Sequence, residues 1–429
     1  MNLSQQIESD YQLYKNQATK DSFFEIRERA FEAFKNLGLP TTKQEEWKYT
    51  NLKKIAEGTF TSSCVSDLNA EALINAGILN KIVSNKIVFV NGCLFPELSV
   101  WLDEDAAIVC TNLAAARKTH NSVFMKHFGK YAKFEEEGLN AMNTAMMSDG
   151  AFVYLPEGKQ LKYPIMITNI CDATHAPILQ QPRNLIILEK FSEATIIENY
   201  IAVGNHSAFT NVVNEIFADD NSKLEHYKVQ RATGENYHNN YTQIFQNANT
   251  NINQVTLTLD GQWVRNNLHF YMNGQNCNSL LYGLYITDGN QFVDNHSRVD
   301  HASPNCFSDE KYKGVLKDKS TAVFNGKIMV HLDAQKTNAY QRNQNILLSD
   351  EATVNTKPQL EIFADDVKCT HGATIGQLDE EPMFYLRSRG ISEDVARKLL
   401  LNAFADDIAE KIKIPELVQI LEDEIERKL

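Results

Sequence analysis

The first third of the chain places its apolar residues at the spacing of amphipathic helices. Within residues 3–37 the recurring apolar positions are Phe23, Ile26, Ala30, Phe31 and Phe34. A glycine and a proline then end the pattern. A short polar helix is predicted near residues 43–49, short strands between residues 86 and 110, and helices again over residues 113–147. We therefore expect residues 1–150 to form a mostly helical region with a few short strands.

Residues 151–372 follow a different pattern. Short runs rich in Val, Ile, Thr, Phe and Tyr alternate with turns of Asn, Asp, Gly and Ser, and no helical period is present. Similar turns begin at Phe191, Asp219, Asn247 and Asn273, roughly 27 or 28 residues apart. This recurrence favours a parallel β-helix, which grows by adding coils and tolerates Asn in the left-handed conformation at its corners. The pattern alone leaves a double-sheet β-sandwich open as the alternative.

Helical spacing returns in residues 373–429, which we expect to form a C-terminal helical domain. Ser392 is a suitable N-cap for one of these helices, since acidic residues follow it in the first turn. That helix carries an apolar stripe: Val395, Leu399, Leu400 and Phe404. A last helix is predicted over residues 415–429, with Leu417, Ile420, Leu421, Glu424 and Ile425 on one side. Both stripes must be buried against the β-helix or against a partner.

The chain has 429 residues and a formal net charge of −13. This charge argues against nucleic acid as a main partner, because binding phosphates requires clustered Lys and Arg. No apolar run approaches the roughly 20 residues that span a bilayer. The first 14 residues are polar and acidic, unlike a signal peptide. We therefore expect a cytoplasmic protein that binds neither nucleic acid nor membranes.

Seven cysteines are scattered along the chain without any C-x-x-C pair: Cys64, Cys93, Cys110, Cys171, Cys277, Cys306 and Cys369. In a cytoplasmic protein such residues are normally reduced thiols that pack in the core. We expect the same for each of these cysteines.

The chain lacks the motifs for binding nucleotide phosphates, for a serine nucleophile elbow and for zinc. Its one distinctive chemical pair is Cys369 and His371, which lie two residues apart. On an extended strand these side chains share a face, and a thiolate with an imidazole makes half a site for iron or another borderline-soft metal. Two ligands would hold iron weakly, so the others must come from a partner chain, sulfide or water.

The sequence around this pair resembles the C-terminal signature of the SufB/SufD family of SUF iron–sulfur cluster assembly proteins. The resemblance is carried by residues 335–337, 344–348, 357–381 and 384–391, and upstream by residues 300–301, 312–315 and 324–328.

Within the family, the chain resembles SufD more than SufB. The Glu-Glu-Trp-Lys-Tyr-Thr segment of residues 45–50 is similar to an N-terminal motif of SufD members. The segment His-Gly-Ala-Thr-Ile-Gly-Gln-Leu begins at His371, where SufB members usually have Glu directly after the histidine. No second cysteine lies immediately upstream of Cys369, where SufB members place one that they use at the subunit interface.

This resemblance implies a mainly β fold, a right-handed parallel β-helix flanked by N-terminal and C-terminal α-helical domains. It further implies a non-catalytic scaffold subunit that forms a heterodimer with SufB through the β-helix. The C-terminal helical domain would bind the ATPase SufC. When isolated, the chain could form a homodimer.

The resemblance also implies the role of the site. His371 matches a SufD histidine that would bind iron or a nascent iron–sulfur cluster transiently at the partner interface. Cys369 is its neighbour, and could be a second ligand or a packed thiol. No tightly bound cofactor is expected in the isolated chain, and no residue is expected to be catalytic.

Two other functions stay open. One is a SufB-like homodimer that carries a cluster by itself. The other is a β-helical carbohydrate-active enzyme, such as a polysaccharide lyase or hydrolase, which would need carboxylates and basic residues gathered on one face of the coils. A long surface groove lined by Asp, Arg and aromatic residues would distinguish the enzyme, and we expect no such groove.

Overall fold

The computed structural model describes residues 2–62, 64, 66 and 81–428. Two helices fill residues 3–37, α1 (Leu3–Gln17) and α2 (Ser22–Leu37). They are separate because the carboxylate of Asp21 caps a new helix, accepting a hydrogen bond of 2.9 Å from the backbone N–H of Phe24. The helices that follow are α3 (Lys53–Glu57), α4 (Leu113–Thr119), α5 (Asn121–His127), α6 (Gly138–Met146), α7 (Glu380–Ser388), α8 (Glu393–Ala409) and α9 (Pro415–Lys428), with 3-10 turns at Glu45–Trp47 and Pro96–Leu98.

The rest of the described chain is mostly strands. They are β1 (Asn85–Val90), β2 (Cys93–Leu94), β3 (Val109–Asn112), β4 (Ala151–Leu155), β5 (Ile165–Ala173), β6 (Ile178–Gln180), β7 (Arg183–Leu188), β8 (Glu193–Gly204), β9 (Ala208–Ala218), β10 (Lys223–Arg231), β11 (Asn236–Gln246), β12 (Asn251–Asp260), β13 (Trp263–Met272), β14 (Asn278–Thr287), β15 (Phe292–His301), β16 (Phe307–Leu316), β17 (Thr321–Val330), β18 (Thr337–Leu347), β19 (Thr353–Ile362) and β20 (Val367–Gly376).

These strands form a parallel β-helix, as the recurring turns predict. From β7 onward, successive strands alternate between two sheets, and each pairs in parallel with the strand two places later. One sheet runs from β2 through β1, β5 and the even-numbered strands β8 to β20, and the other runs from β3 and β4 through the odd-numbered strands to β19. The double-sheet β-sandwich is therefore excluded.

Asparagine forms one corner of successive coils. Asn221, Asn249, Asn276 and Asn305 all have φ near +60°, the left-handed region that Asn tolerates better than most residues. The backbone N–H of each of these residues donates to a carbonyl of the next coil, at 2.9 to 3.2 Å. The asparagine thus turns the chain while its backbone N–H keeps a hydrogen-bond partner. This explains why asparagine recurs at these turns.

The interior of the β-helix has an apolar half and a polar half. The apolar half includes Ile196, Ile216, Ile244 and Phe270, all fully buried. In the polar half, side chains of the two sheets hydrogen bond across the interior: the Nζ of Lys228 donates to Thr242 at 2.9 Å, and Gln230 and Asn266 bond at 2.9 Å. We call this second half the polar lumen.

Helices cover the outer faces of both sheets. The N-terminal helices α1, α2 and α6 pack on Leu179, Phe209, Tyr237 and Trp263 of the odd-numbered sheet and the β6 segment. The C-terminal helices α8 and α9 pack on the other sheet, and the predicted stripe of α9 is buried there, from Leu417 to Ile425. None of the helices in the described part of the chain is both long and apolar enough to cross a membrane.

The expectation that all the cysteines are free thiols is wrong for one pair. Cys64 and Cys93 form a disulfide, and their Cα atoms lie 5.6 Å apart, within the range that a disulfide spans. The other five cysteines are free, and Cys171, Cys277 and Cys306 are buried as expected. The two bonded residues are 29 positions apart, so only the fold brings them together.

Candidate functional site at the open end of the β-helix

The β-helix ends in two strands that no described strand covers. β20 is the last strand of one sheet and β19 is the last of the other. In β20 only Val367 and Cys369 are partly buried, and the other eight residues are exposed. An uncovered edge carries unpaired backbone N–H and C=O groups that can pair with another chain.

Cys369 and His371 both lie on this edge strand. Cys369 pairs in register with Ala339 and packs against the apolar interior, and burial raises the pKa of its thiol. His371 is exposed and pairs in register with Gln341. Alternation along the strand gives it the same face as Cys369. The predicted pair therefore stands at the rim of the open end, with one side chain anchored in the core and the other reaching solvent.

This chain by itself supplies few metal ligands at that rim. Among the described residues, no three side chains of His, Cys, Asp or Glu converge as a metal site would need. Cys369 and His371 thus have the donor chemistry for iron, while a complete coordination shell needs donors from elsewhere. Whether the two residues bind metal stays a prediction.

A polar column lies behind His371 in the lumen. Glu310 pairs in register with Gln341, which pairs in turn with His371. The Nε2 of Gln341 donates to Glu310 Oε2 at 2.8 Å, and both residues are fully buried. Burial raises the pKa of Glu310 to about 7, against the opposing effect of Ser297 and Gln341 beside it. Sequence patterns missed Glu310, because only the pairing register brings it behind His371.

Comparison with known proteins identifies the family. The model of the SufBD core domain of the SUF system of FeS cluster assembly matches residues 170–404, and that of the SufBD N-terminal region matches residues 2–167. This chain belongs to the SufBD family. It is an iron–sulfur cluster assembly protein, and its relatives include proteins named SufD.

Three relatives of this SufBD family protein are similar along nearly their whole length. An iron–sulfur cluster assembly SufBD family protein of Synechocystis is 34% identical over 96% of this chain and 93% of its own. The iron–sulfur cluster assembly protein SufD of Escherichia coli is 28% identical, covering 96% and 94% of the two chains. SufD of Bacillus subtilis is 27% identical, covering 94% and 93%.

One surface recess carries the residue types named for the carbohydrate-active alternative. A recess of about 560 Å³ lies between the outer face of β11, β13 and β15 and the loop before α6, and it is lined by Asp300, Arg298, Tyr241 and Tyr271 among others. These are the residue types that a carbohydrate-active enzyme would present. The carboxylate of Asp300, however, is held by Arg298 at 2.6 and 3.0 Å and by His331 at 3.0 Å. The recess therefore lacks a free carboxylate at this position.

The apolar stripe predicted on α8 does not all pack on the β-helix. Val395 and Leu399 are 51% and 47% exposed, and α8 instead buries Ala396, Leu401, Ala405 and Ile408. On the neighbouring helix α7, Phe384 and Tyr385 are 75% and 57% exposed. An ion pair of 3.3 Å between Arg387 and Glu393 joins the two helices. We call these four exposed residues the α7–α8 patch: Phe384, Tyr385, Val395 and Leu399.

The pKa of Glu310 predicts how stability depends on pH. The carboxyl group of Glu310 keeps its proton up to about pH 7 in the folded chain, but loses it near pH 4.5 in the unfolded chain. The free energy of unfolding therefore falls as the pH rises between these two values. Glu310→Gln removes the titrating group. We expect the variant to match the wild type near pH 4 and to exceed it in free energy of unfolding by about 3 kcal/mol above pH 7. Urea unfolding across this pH range measures the difference, and parallel curves for the two proteins would contradict it.

Proposed function

We propose that this chain is a non-catalytic scaffold subunit of the SUF assembly complex. It pairs with SufB through the open end of its β-helix, binds the ATPase SufC through its C-terminal helices, and presents His371 and Cys369 to iron or a nascent cluster. The observation that carries the proposal is the position of the Cys369–His371 pair on an uncovered edge strand. The candidate metal ligands therefore lie on the same strand edge that is open for pairing with a partner.

The edge favours strand pairing with a partner of similar architecture. β20 leaves the hydrogen-bonding groups of a ten-residue strand open, and adding a strand to such an edge is a common mode of protein recognition. SufB belongs to the same family and is the partner that we assign to this edge. Pairing there would cover His371 and bring donors from a second chain beside it.

Iron enters this proposal as cargo that the complex assembles into clusters. A thiolate and an imidazole suit iron, and two ligands from each side of an interface would complete a four-ligand site. Because the ligands are divided between the chains, opening the interface would release the cargo. The isolated chain would then hold a cluster only weakly.

Co-purification tests the scaffold assignment. The tagged chain is expressed with SufB and SufC, and we expect both to be recovered with it. A chain that purifies alone under all conditions would overturn the pairing. A coloured homodimer after anaerobic reconstitution would instead support the SufB-like cluster carrier.

His371→Ala tests the site within that complex. We expect SufB and SufC to be recovered as before, because the side chain of His371 is exposed and its loss leaves no cavity in the core. The cluster content of the complex should fall by about tenfold or more. Even the loss of a group that only orients a metal ligand lowers metal affinity or activity by that factor.

Thr370→Ala is the matched control, because Thr370 is exposed on the opposite face of the same strand. Iron and sulfide content of the purified complex measures both variants. Equal cluster content in the His371 variant and the control would refute the site assignment.

A further inference from the structure

One corner of the β-helix carries a column of small side chains. In five successive coils, the residue after the left-handed turn position is fully buried and directly precedes a strand of the even-numbered sheet. These residues are Ser222, Thr250, Cys277, Cys306 and Thr337. The register of the strands that follow them places the five side chains on successive rungs, about 4.8 Å apart. The two cysteines are therefore direct neighbours in this column.

The corner itself needs only a small hydrogen-bond donor at this position. The hydroxyl groups of Thr250 and Thr337 donate to the carbonyl three residues earlier, at 3.0 and 2.9 Å. The thiol of Cys277 makes the same contact at 3.1 Å. Because a thiol is a weaker donor than a hydroxyl, this hydrogen bond does not account for cysteine in two consecutive coils.

The thiols of Cys277 and Cys306 point at the same carbonyl oxygen, that of Gly274. Their Sγ atoms lie 3.1 and 3.4 Å from it. A hydrogen bond between the two thiols lowers the pKa of Cys277 and raises the pKa of Cys306, so the sulfur atoms are in contact. Both side chains are buried, but the asparagine before each of them is exposed. The thiol pair thus lies one residue beneath the surface.

Two thiols at this spacing suit a metal ion that takes two ligands. Metal–thiolate bonds are about 2.3 Å long, so a linear sulfur–metal–sulfur unit spans about 4.6 Å, close to the rung spacing of about 4.8 Å. Among the described residues, no third His, Cys, Asp or Glu joins the pair to form a metal-binding group. Zinc and iron normally take four or more ligands and would lack donors here. Cu(I) is soft, prefers thiolates and is satisfied by two of them in a line.

We propose that Cys277 and Cys306 form a two-thiolate site for a soft monovalent cation of the Cu(I) class. On binding, both S–H bonds break, each sulfur keeps its electron pair and donates it to the metal, and two protons pass to solvent. The oxidation states of copper and sulfur do not change. The site uses neither Cys369 nor His371, so it does not depend on the proposed function.

Anaerobic titration of the full chain with Cu(I), in competition with a chromogenic Cu(I) chelator, tests the site. We expect the wild type to bind one Cu(I), and Cys277→Ser and Cys306→Ser to bind it about a hundredfold more weakly, or worse. Even the loss of a group that only orients a metal ligand costs roughly 10–100-fold in affinity, and each of these variants loses a ligand. Wild-type affinity in both variants would overturn the proposal.

Cys171→Ser is the matched control, because Cys171 is an equally buried free thiol that lies outside the column. It should bind Cu(I) like the wild type, and an equal loss of affinity in this control would count against the pair. The variants of Cys277 and Cys306 should fold normally, since serine already occupies this corner position at Ser222. Circular dichroism checks their folding.

X-ray absorption spectroscopy of the copper-loaded wild type gives a readout that needs no variant. We expect a first shell of two sulfur atoms in a linear arrangement, because only the two thiols are within reach of the metal. A shell of three or four ligands, or one that contains nitrogen, would refute the site even if the affinity were high.

Discussion

Glu215→Ala is expected to lower the free energy of unfolding by about 3–5 kcal/mol, the usual cost of removing one partner of a buried ion pair. The carboxylate of Glu215 is fully buried and accepts a hydrogen bond of 2.6 Å from Arg183, which is buried as well. It also accepts the backbone N–H groups of Gly129, Tyr131 and Ala132 at 2.8, 2.9 and 3.1 Å. The variant leaves one buried cation without its counter-ion and three backbone donors without their acceptor.

The location of Glu215 sets a second expectation. It lies on β9, and the three donors lie in the segment between α5 and α6, so this carboxylate fastens the N-terminal helical region to the β-helix. Proteolysis should therefore cut the variant first between residues 127 and 138. Thermal and urea unfolding measure the loss of stability.

Glu135→Ala is the control for Glu215→Ala. Glu135 pairs with Arg29 at 2.9 Å, but the two side chains are 52% and 67% exposed. Exposed ion pairs contribute little to stability, because water screens them and holding two long side chains in place costs entropy. An equal loss of stability in the two variants would show that the Glu215 network does not hold the helices to the β-helix.

The β-helix could be predicted because its corners repeat. Asn221, Asn249 and Asn276 are 28 and 27 residues apart, and each turns the chain in the same left-handed conformation. The pairing of β1 could not be predicted. Residues Asn85 to Val90 lie parallel to Ile165 to Ile170, and a parallel pair made across such a distance leaves no local pattern in the sequence.

The site was predicted in part. Alternation along a strand and the family resemblance both lead to Cys369 and His371, because the relevant residues are neighbours in the sequence. Glu310 was missed, since the coils that place it behind His371 differ in length: Glu310 pairs with Gln341 after 31 residues and Gln341 with His371 after 30. Unequal coils hide a column of residues from any search for a fixed period.

How the apolar stripe of α8 divides between the β-helix and solvent could not be predicted, for a different reason. Helical spacing identifies apolar residues that share a face, but it does not say which face meets the β-helix. Ala405 packs with Leu401 and Ile408 in the apolar cluster between α8 and the sheet, while Val395 and Leu399 are exposed. These two larger apolar residues are thus available to bind a partner.

The double variant Phe384→Asp with Leu399→Asp is expected to abolish binding of SufC. Hot-spot side chains near the centre of an interface cost about 2 kcal/mol or more each when they are removed, so the loss of two of them should weaken binding by roughly a thousandfold. Placing a carboxylate in an apolar interface adds a desolvation cost. The fold should be unaffected, because Phe384 and Leu399 are 75% and 47% exposed. Calorimetric titration of SufC into the full chain measures the affinity.

Leu13→Asp is the matched control for this last test, because Leu13 is 61% exposed on α1, on the helices that cover the opposite sheet. It introduces one carboxylate at another exposed leucine and should bind SufC like the wild type. If the double variant kept its affinity, SufC would have to bind elsewhere and the α7–α8 patch would need another partner. If the double variant lost SufC but still recovered SufB, the two partners would occupy separate surfaces. The open end of the β-helix and the C-terminal helices would then be independent interfaces of one scaffold, because a charge placed on the patch leaves the β20 edge unchanged.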